Sequence, residues 1–386
     1  MPPIYKELPF AGAEFDARLA GLRGKMAARG LDALVLSAPE NLYYLTGYDT
    51  TGFHSFFQAM VIAGEGDPAI LTRYLEVINF EGTAHRTRGV GYQDHEEPAA
   101  ALAALLDGMG LAQSCIGFEK LVPWLTVGVY EAAATALPGA RIEDASGLVE
   151  ELRSIKSPTE IAYMRQAARY TEAGMRAGLD AARVGATDND VAAAIIEARV
   201  RAGSGFLRSP TYVLVGPRTE LTHQTWQGDR IAADDLVYVE EGGCARHYAA
   251  PLMRTAVVGK ASDRVQEIAD ASRRSLDAVI AAMRPGRKIE EVDAINRALI
   301  AEAGLSDYYR HRTGYGVGID FLIWIERNGM SFNRGNTTPF APGMTFHLPI
   351  VFFVPGVGGI GFSETVLVTE DGCEAITDFP RELEIG

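Results

Sequence analysis

Residues 206–255 read FLRSPTYVLVGPRTELTHQTWQGDRIAADDLVYVEEGGCARHYAAPLMRT, and this stretch decides the fold. The segments TYVLVG and LVYVEEGG are rich in β-branched and aromatic residues and are bounded by Gly, Pro and Asp, which is typical of strands. The pattern predicts a strand, a loop with His223, a second strand that ends at Glu240 and Glu241, and a third strand. A histidine near a strand-borne carboxylate suits general acid–base chemistry, but a surface-loop histidine beside a solvated strand end gives the same pattern.

Length and composition set the broad class. The 386 residues are enough for two domains, each with its own core. A net charge of -14 without a basic run disfavours nucleic acid and anionic membranes as partners. No run approaches the roughly 20 apolar residues of a membrane span. Three widely spaced cysteines, and an N-terminus without the basic and apolar regions of a signal peptide, favour the cytoplasm.

Residues 1–150 alternate predicted helices and strands, which indicates a small α/β domain. A loop after NLYYLTG holds Tyr48 and Asp49 close to Phe53, and small polar groups beside aromatic rings suit the recognition of a small polar ligand. Arg73 follows a predicted strand and could clamp a carboxylate through two parallel hydrogen bonds. A surface loop with aromatic anchors and a solvated arginine are the alternatives.

Residues 151–386 form the second predicted domain. The run IKSPTE is a helix start, because Ser157 can cap, Pro158 fits the first turn and Glu160 lies three residues after the cap. Helix pairs before and after the central strands, the later pair broken at Pro285-Gly286, indicate an α+β domain. Three alternating glycines in GYGVG, residues 314–318, predict a tight turn.

Four residues late in the chain are candidate site residues. Trp324 and Glu326 follow the glycine run, although Trp324 could simply pack a loop while Glu326 pairs with Arg327. His347 lies in a strand-like run, where a satisfied core histidine is the alternative. Glu364 precedes the apolar run VLVT, and a carboxylate entering a core costs several kcal/mol unless it is paired or protonated. Glu364 is therefore a catalytic candidate, with a structural arginine pair as the alternative.

The order of these motifs resembles the creatinase, prolidase and methionine aminopeptidase superfamily. IKSPTE, the His223 loop, GGC, RT, GYGVG, MTFH and SETVLVTEDG occur in the superfamily's order. The resemblance implies an α+β chain, with a C-terminal catalytic domain of the "pita-bread" fold after a smaller creatinase-type α/β domain. It also implies a homodimer in which the N-terminal domain reaches the partner's active site, so that Arg73 and the Tyr48–His54 loop, Asp49 included, contact the substrate there.

The peptidases of this superfamily carry five metal ligands, and the resemblance places them on Glu240, Pro251, Tyr315, Pro349 and Ser363. Proline has no donor group for a metal, and tyrosine is a poor substitute for imidazole. The resemblance therefore points to the metal-free branch, which includes creatinase and ectoine hydrolase, and implies no cofactor. The acid that creatinase carries before its Arg-Thr pair falls on Met253, so the pattern is closer to ectoine hydrolase.

The resemblance implies hydrolysis of a C–N bond in a small amidine, cyclic amidine or guanidino compound. His223 would be the general base, since its ordinary pKa suits that role. Glu240 and Glu364 would flank the substrate cation, or one of them would be the nucleophile. Further substrate contacts are expected from Tyr315, Trp324, Glu326 and His347. The alternatives are a metal-dependent Xaa-Pro dipeptidase with unorthodox ligands, and a non-catalytic binding relative.

Overall fold

The computed structural model describes residues 7–86, 88–326 and 329–385. The chain divides into two compact units, Met1–Arg153 and Ser154–Gly386. Within the described part, no helix is both long and apolar enough to cross a bilayer.

The first unit is built on a six-stranded sheet with the order β4-β3-β2-β1-β5-β6. Strand β1 pairs antiparallel with β2 and parallel with β5, so the sheet is mixed. Its apolar core includes Val35, Val61 and Phe118, which are fully buried. The elements are α1 Gly12–Ala28, β1 Ala33–Leu36, α2 Pro39–Thr46, β2 Ala59–Ala63, β3 Ala69–Arg73, α3 Val77–Thr83, β4 Arg88–Tyr92, α4 Pro98–Gly108, β5 Cys115–Phe118, α5 Val127–Ala136, β6 Arg141–Asp144 and α6 Leu148–Arg153.

The second unit places two sheets under four long helices. One sheet has the order β12-β13-β9-β8-β7, with β16 added beside β9, and the other has the order β10-β11-β14-β15. The elements are α7 Pro158–Ala181, α8 Asp188–Arg201, β7 Tyr212–Val215, β8 Leu236–Ala245, β9 Tyr248–Val258, α9 Asp263–Ala282, α10 Ile289–Glu302, β10 Tyr315–Gly316, β11 Thr345–His347, β12 Ile350–Val354, β13 Gly358–Phe362, β14 Thr365–Val368, β15 Cys373–Ala375 and β16 Glu384–Ile385.

The helix starts follow the local sequence. Ser157 accepts a hydrogen bond from the backbone of Glu160, whose side chain accepts one from the Ser157 backbone, which confirms the predicted cap. Thr187 and Asp190 form the same reciprocal box at the start of α8, and each box satisfies amide groups that a helix terminus leaves unpaired. The break at Pro285-Gly286 is also confirmed, since α9 ends at Ala282 and α10 begins at Ile289.

The central hairpin corrects one expectation. Strand β8 does not end at Glu240 and Glu241 but runs through Gly242 and Gly243 to Ala245, paired with β9 along its whole length. The second glycine, Gly243, lies close to α7. A Cβ on Gly243 would fall 2.4 Å from the carbonyl oxygen of Ala167, and glycine in a strand commonly marks such a close backbone approach.

The predicted tight turn at residues 314–318 is wrong. Tyr315 and Gly316 form strand β10, which pairs with β11, and none of the three glycines has a positive φ. Steric crowding explains why glycine occupies two of the three positions. A Cβ on Gly314 would approach the carbonyl oxygen of His347 to 3.0 Å, and one on Gly318 would collide with the Glu326 carboxylate at 2.1 Å.

We expect Gly243→Ala to destabilise the protein and Gly242→Ala to be tolerated. The Gly243 Cβ would meet α7 backbone, which cannot move without shifting the helix, and overpacking of this kind costs about 1–3 kcal/mol. The Gly242 Cβ would meet its neighbours at 3.5 Å, an ordinary contact. Urea denaturation of both variants measures the difference. Equal midpoints would show that α7 does not constrain the hairpin.

Candidate functional site

A cavity of about 260 Å³ opens beside the central hairpin of the second unit. Its walls are largely aromatic, and the rings belong to Tyr212, Tyr238, Trp324 and Phe353. Its ionisable groups are His223, Glu240, Arg310 and His311. A largely apolar concavity with a few polar groups is the usual form of a small-molecule site.

Strand pairing places the acid in this cavity. Glu240 lies on β8 opposite Tyr212 of β7 and Met253 of β9. Since side chains two residues apart share a face of a strand, Tyr238 lies on the same side, and its hydroxyl donates a 2.9 Å hydrogen bond to Glu240 Oε2. Pairing of β8 with β7 and β9, together with the Tyr238 hydroxyl, thus fixes the position of the Glu240 carboxylate.

Glu240 carries an unbalanced charge when ionised. Burial raises the pKa of its carboxyl to about 7, although the hydrogen bond from Tyr238 lowers it. Among the described residues, no Lys, Arg or His forms an ion pair with it. A carboxylate that titrates near neutrality in a cavity is a candidate for a functional role.

Two histidines border the cavity, and they differ in environment. His223 lies on an exposed loop with a φ of 54°, and its ring centre lies 5.9 Å from that of Tyr212. His311 Nδ1 lies 2.7 Å from the carbonyl oxygen of Arg312, so Nδ1 must carry the proton and Nε2 is left as an acceptor. Burial lowers the pKa of His311 to about 4, which keeps the ring neutral near pH 7.

Sequence reasoning missed His311 and Arg310. The signal was available in the run YYRHR, which places three cationic or titratable groups directly before the buried strand β10. The structure brings both residues to the cavity with His223, Glu240 and Trp324.

Tyr315 and His347 lie behind the cavity wall in a buried chain of hydrogen bonds. The Trp324 Nε1–H donates to the Tyr315 hydroxyl at 3.2 Å, which lies 2.8 Å from His347 Nδ1. His347 Nε2 lies 2.6 Å from the hydroxyl of Ser363. Burial holds the pKa of His347 well below its usual range, so the ring is neutral. The chain supports Trp324, which does line the cavity.

Glu364 and Glu326 are buried in ion pairs. Glu364 Oε1 accepts hydrogen bonds from Arg254 at 2.8 Å and from Arg381 at 3.0 Å, and Oε2 accepts one from Thr377. The structure therefore shows the structural arginine pair, and Glu364 is not among the residues that line the cavity. Glu326 pairs with Lys156 at 2.9 Å. Arg327, its expected partner, lies outside the described residues.

The three candidates of the first unit have partners within that unit. The Tyr48 hydroxyl lies 3.4 Å from that of Thr72, and burial raises the pKa of Tyr48 to about 12. The backbone N–H of Asp49 donates to the hydroxyl of Thr83. Arg73 makes two parallel bonds, 2.5 and 2.6 Å long, to Asp94. Their role as contacts to a partner subunit's active site stays a prediction.

The whole chain matches known proteins. Residues 162–370 match the model of metallopeptidase family M24, and residues 18–155 match the creatinase/prolidase N-terminal domain. The chain belongs to metallopeptidase family M24. This confirms the superfamily resemblance and the predicted fold class, an α+β pita-bread domain after a creatinase-type domain.

Members of family M24 with similar chains differ in their named substrates. An ectoine hydrolase of Halomonas elongata is 29% identical, with 98% of this chain and 99% of the relative covered. A Xaa-Pro dipeptidase of Lactobacillus delbrueckii is 25% identical, with 94% and 97% covered. The solved Xaa-Pro dipeptidase of Bacillus anthracis is 26% identical, has a TM-score of 0.84, and is matched over 96% of this chain and 100% of its own. This M24 member is a hydrolase.

The resemblance assigns the metal ligands of the peptidases to five positions, and most of these side chains are poor metal donors. Pro251 and Pro349 offer no side-chain donor. The hydroxyls of Tyr315 and Ser363 are both engaged by His347. Only Glu240 supplies a carboxylate. In the described ranges, no cluster of three or more His, Cys, Asp or Glu could hold a metal ion.

We expect Glu240→Gln to stabilise the protein at pH 8 but not at pH 4.5. The folded pKa of about 7 exceeds the ordinary value of 4.5, so the native state holds the proton more tightly and stability falls as pH rises through this window. Glutamine has no titrating carboxyl, so the variant should not lose stability in this way as pH rises. Urea denaturation at both pH values measures the effect, with exposed Glu302→Gln as the control. A pH-independent difference would contradict the cause given for the raised pKa.

Glu364→Gln should act on stability rather than on catalysis. It leaves the charges of Arg254 and Arg381 without their buried counter-charge, and breaking a buried ion pair costs roughly 3–5 kcal/mol. Exposed Glu370→Gln is the control. A Glu364→Gln variant with normal stability and no turnover would return Glu364 to the catalytic group.

Proposed function

We propose that this chain is a metal-independent hydrolase that cleaves a C–N bond in a small amidine, cyclic amidine or guanidino compound. The observation that carries the proposal is Glu240, an acid in a cavity with aromatic walls that forms no ion pair with any residue the structure describes. A substrate that brings its own cation would provide the missing partner.

An amidinium ion matches this environment. It is planar and positively charged, and its N–H groups can donate charge-assisted hydrogen bonds to a carboxylate. Its face can also stack on aromatic rings, which attract cations, and Tyr212 and Trp324 supply such rings. Without a ligand, burial disfavours the negative charge of Glu240. A bound amidinium would attract that charge strongly, because water is displaced from the cavity.

The chemistry requires water to add to the amidine carbon. His223 is the proposed base, which takes a proton from water as the new C–O bond forms. The C–N bond then breaks, the departing nitrogen receives a proton and leaves as an amine, and the carbon is left as an amide or urea. His311, held neutral with Nε2 as an acceptor, can receive a hydrogen bond from the substrate or the water.

Glu240 has two possible parts in this scheme. It can stabilise the cation electrostatically, or it can attack the carbon and form a covalent intermediate that water then hydrolyses. Because Glu364 is engaged by Arg254 and Arg381, Glu240 is the carboxylate available for either part. The ectoine hydrolase of Halomonas elongata, similar over its full length, supports a cyclic amidine as substrate.

A Xaa-Pro dipeptidase is the second candidate. The similar dipeptidases from Lactobacillus delbrueckii and Bacillus anthracis favour it. The two prolines at ligand positions count against it, because a dinuclear peptidase depends on its carboxylate and imidazole donors. A binding protein without catalysis is the third, and the retained His223 and Glu240 count against that.

The test is turnover of ectoine, creatine and Xaa-Pro dipeptides by purified protein of known metal content, with and without chelator. We expect hydrolysis of the cyclic amidine to be unaffected by chelator and kcat/KM to fall below about pH 7, where Glu240 is protonated in the free enzyme. His223→Ala should lower kcat by about 10²–10⁴-fold. Glu240→Gln should lower kcat/KM most above about pH 7, where the wild-type carboxylate is ionised.

Two other outcomes would each establish a different function. Stoichiometric metal with chelator-sensitive dipeptide cleavage would establish the peptidase. Binding of the amidine without turnover, unchanged in His223→Ala, would establish the binding protein.

A further inference from the structure

We propose that Arg218 is a positioning residue, which closes the base of the loop that carries His223 and so holds the imidazole at the cavity. The inference rests on the proposed function, in which His223 is the general base, and it names the group that fixes that base in place. Arg218 is not among the residues that line the cavity, so its effect on the reaction must be transmitted through the loop.

The position of His223 depends on the backbone of its loop. The imidazole makes no hydrogen bond or ion pair with any residue that the structure describes, and its ring centre lies 5.9 Å from that of Tyr212. The φ of 54° is in the left-handed region, which costs a residue with a side chain about 1–3 kcal/mol and persists only where the surrounding structure enforces it. Contacts elsewhere in the loop must therefore hold His223 in place.

Arg218 joins the two sides of this loop. It lies before His223, in the short 3₁₀ helix Gly216–Glu220. Its Nη2 donates a 2.9 Å hydrogen bond to the carbonyl oxygen of Thr225, which lies after His223. The Thr225 hydroxyl in turn donates to the carbonyl oxygen of Thr211 at 2.9 Å, directly before strand β7. The guanidinium thus closes the loop of residues 218–225, and Thr225 ties it to the sheet.

Two acids anchor the guanidinium. Nη1 of Arg218 lies 2.6 Å from Asp229 Oδ2 and 3.5 Å from Asp188 Oδ2. Asp188 is fully buried in the first turn of α8, and its carboxylate also accepts the backbone N–H groups of Gln227 and Gly228. Asp188 therefore attaches both Arg218 and the far end of the loop to a long helix, which gives the loop a rigid base.

These contacts require the planar fork of arginine. Two different nitrogens of Arg218 reach a carbonyl oxygen and a carboxylate at the same time, whereas lysine offers one ammonium on a flexible stem. Lysine at this position would keep a positive charge beside Asp188 and Asp229 but would lose the paired geometry at Thr225. The exchange therefore separates neutralisation of the buried acid, which is a structural role, from closure of the loop.

A general base is sensitive to its position. It must lie within hydrogen-bond reach of the proton that it takes, about 2.6–3.2 Å between heavy atoms, and a displacement of about 1 Å can lower the rate by about 10²-fold. Opening of the loop would move His223 while leaving Glu240 and Trp324 in place, because those residues belong to other elements. The loss should therefore appear in kcat rather than in KM.

The experiment is a double-mutant cycle of Arg218→Ala and His223→Ala, with Arg218→Lys as a second variant. Arg273→Ala is the matched control, since Arg273 also donates to a backbone carbonyl and to a carboxylate, with a side-chain exposure of 25% against 19% for Arg218. Steady-state kcat and KM are measured with ectoine. NMR of protein with ¹³C-labelled histidine, assigned with His223→Ala, follows the His223 ring without substrate.

We expect Arg218→Ala to lower kcat by about 10- to 100-fold with KM nearly unchanged, and Arg218→Lys to lower it less. In the His223→Ala background neither substitution should lower kcat further, because the loop then has no base to position. The His223 resonance, shifted in the wild type by the Tyr212 ring, should move toward the value of free histidine in Arg218→Ala. Arg273→Ala should retain the wild-type kcat and resonance.

Several results would overturn the inference. Equal losses of kcat from Arg218→Ala with and without His223, or an unmoved His223 resonance, would refute the positioning role and leave the amidine hydrolase intact. If Arg218→Ala does not fold, Arg218→Lys decides the question, since full kcat with an unmoved resonance would refute the role. A wild type that hydrolyses no cyclic amidine would refute the proposed function, and the inference would fall with it.

Discussion

The antiparallel ladder between β8 and β9 is the constraint on which the rest of the second unit depends. Its register fixes Glu240 opposite Met253 and Gly242 opposite Pro251. Gly243 lets α7 approach the strand backbone, where the Thr171 hydroxyl accepts a hydrogen bond from the Gly243 N–H and donates one to the carbonyl of Ala250. Because side chains alternate between faces, a slip of one residue would turn Glu240 away from the cavity and put a valine or Glu241 in its place.

Buried carboxylates of the second unit differ in whether a cation pairs with them. Three carboxylates that lie deeper than Glu240 each have a cation within 3.0 Å, and the pairs are Glu241 with Arg199, Glu326 with Lys156, and Glu364 with Arg254. Pairing of this kind offsets the desolvation that a buried charge suffers. Glu240 instead accepts a hydrogen bond from the neutral Tyr238 hydroxyl. An acid left without a cation in a cavity carries a stability cost, as functional sites often do.

Local rules predicted the scaffold well. Capping residues, strand composition and the helix break at Pro285-Gly286 are local signals, and the structure follows them. The local sequence does not show contacts with partners that are distant in the chain. The catalytic role of Glu364 stays a prediction, but the cost of its burial is offset by Arg254, which lies 110 residues away. The glycines of GYGVG predict a turn, but the structure shows instead that Gly314 is crowded by the His347 backbone and Gly318 by the Glu326 carboxylate.

A chain of hydrogen bonds joins buried polar side chains at two of the positions that the resemblance assigns to metal ligands. Buried polar groups need such partners, because an unpaired one costs about 1–3 kcal/mol. Here Tyr315 and Ser363 are joined through His347, and Trp324 completes the chain. Such a network is rigid only when its members are satisfied. The buried chain therefore cross-links β10, β11 and the segment before β14, and it fixes the Trp324 ring, which lines the same cavity as Glu240.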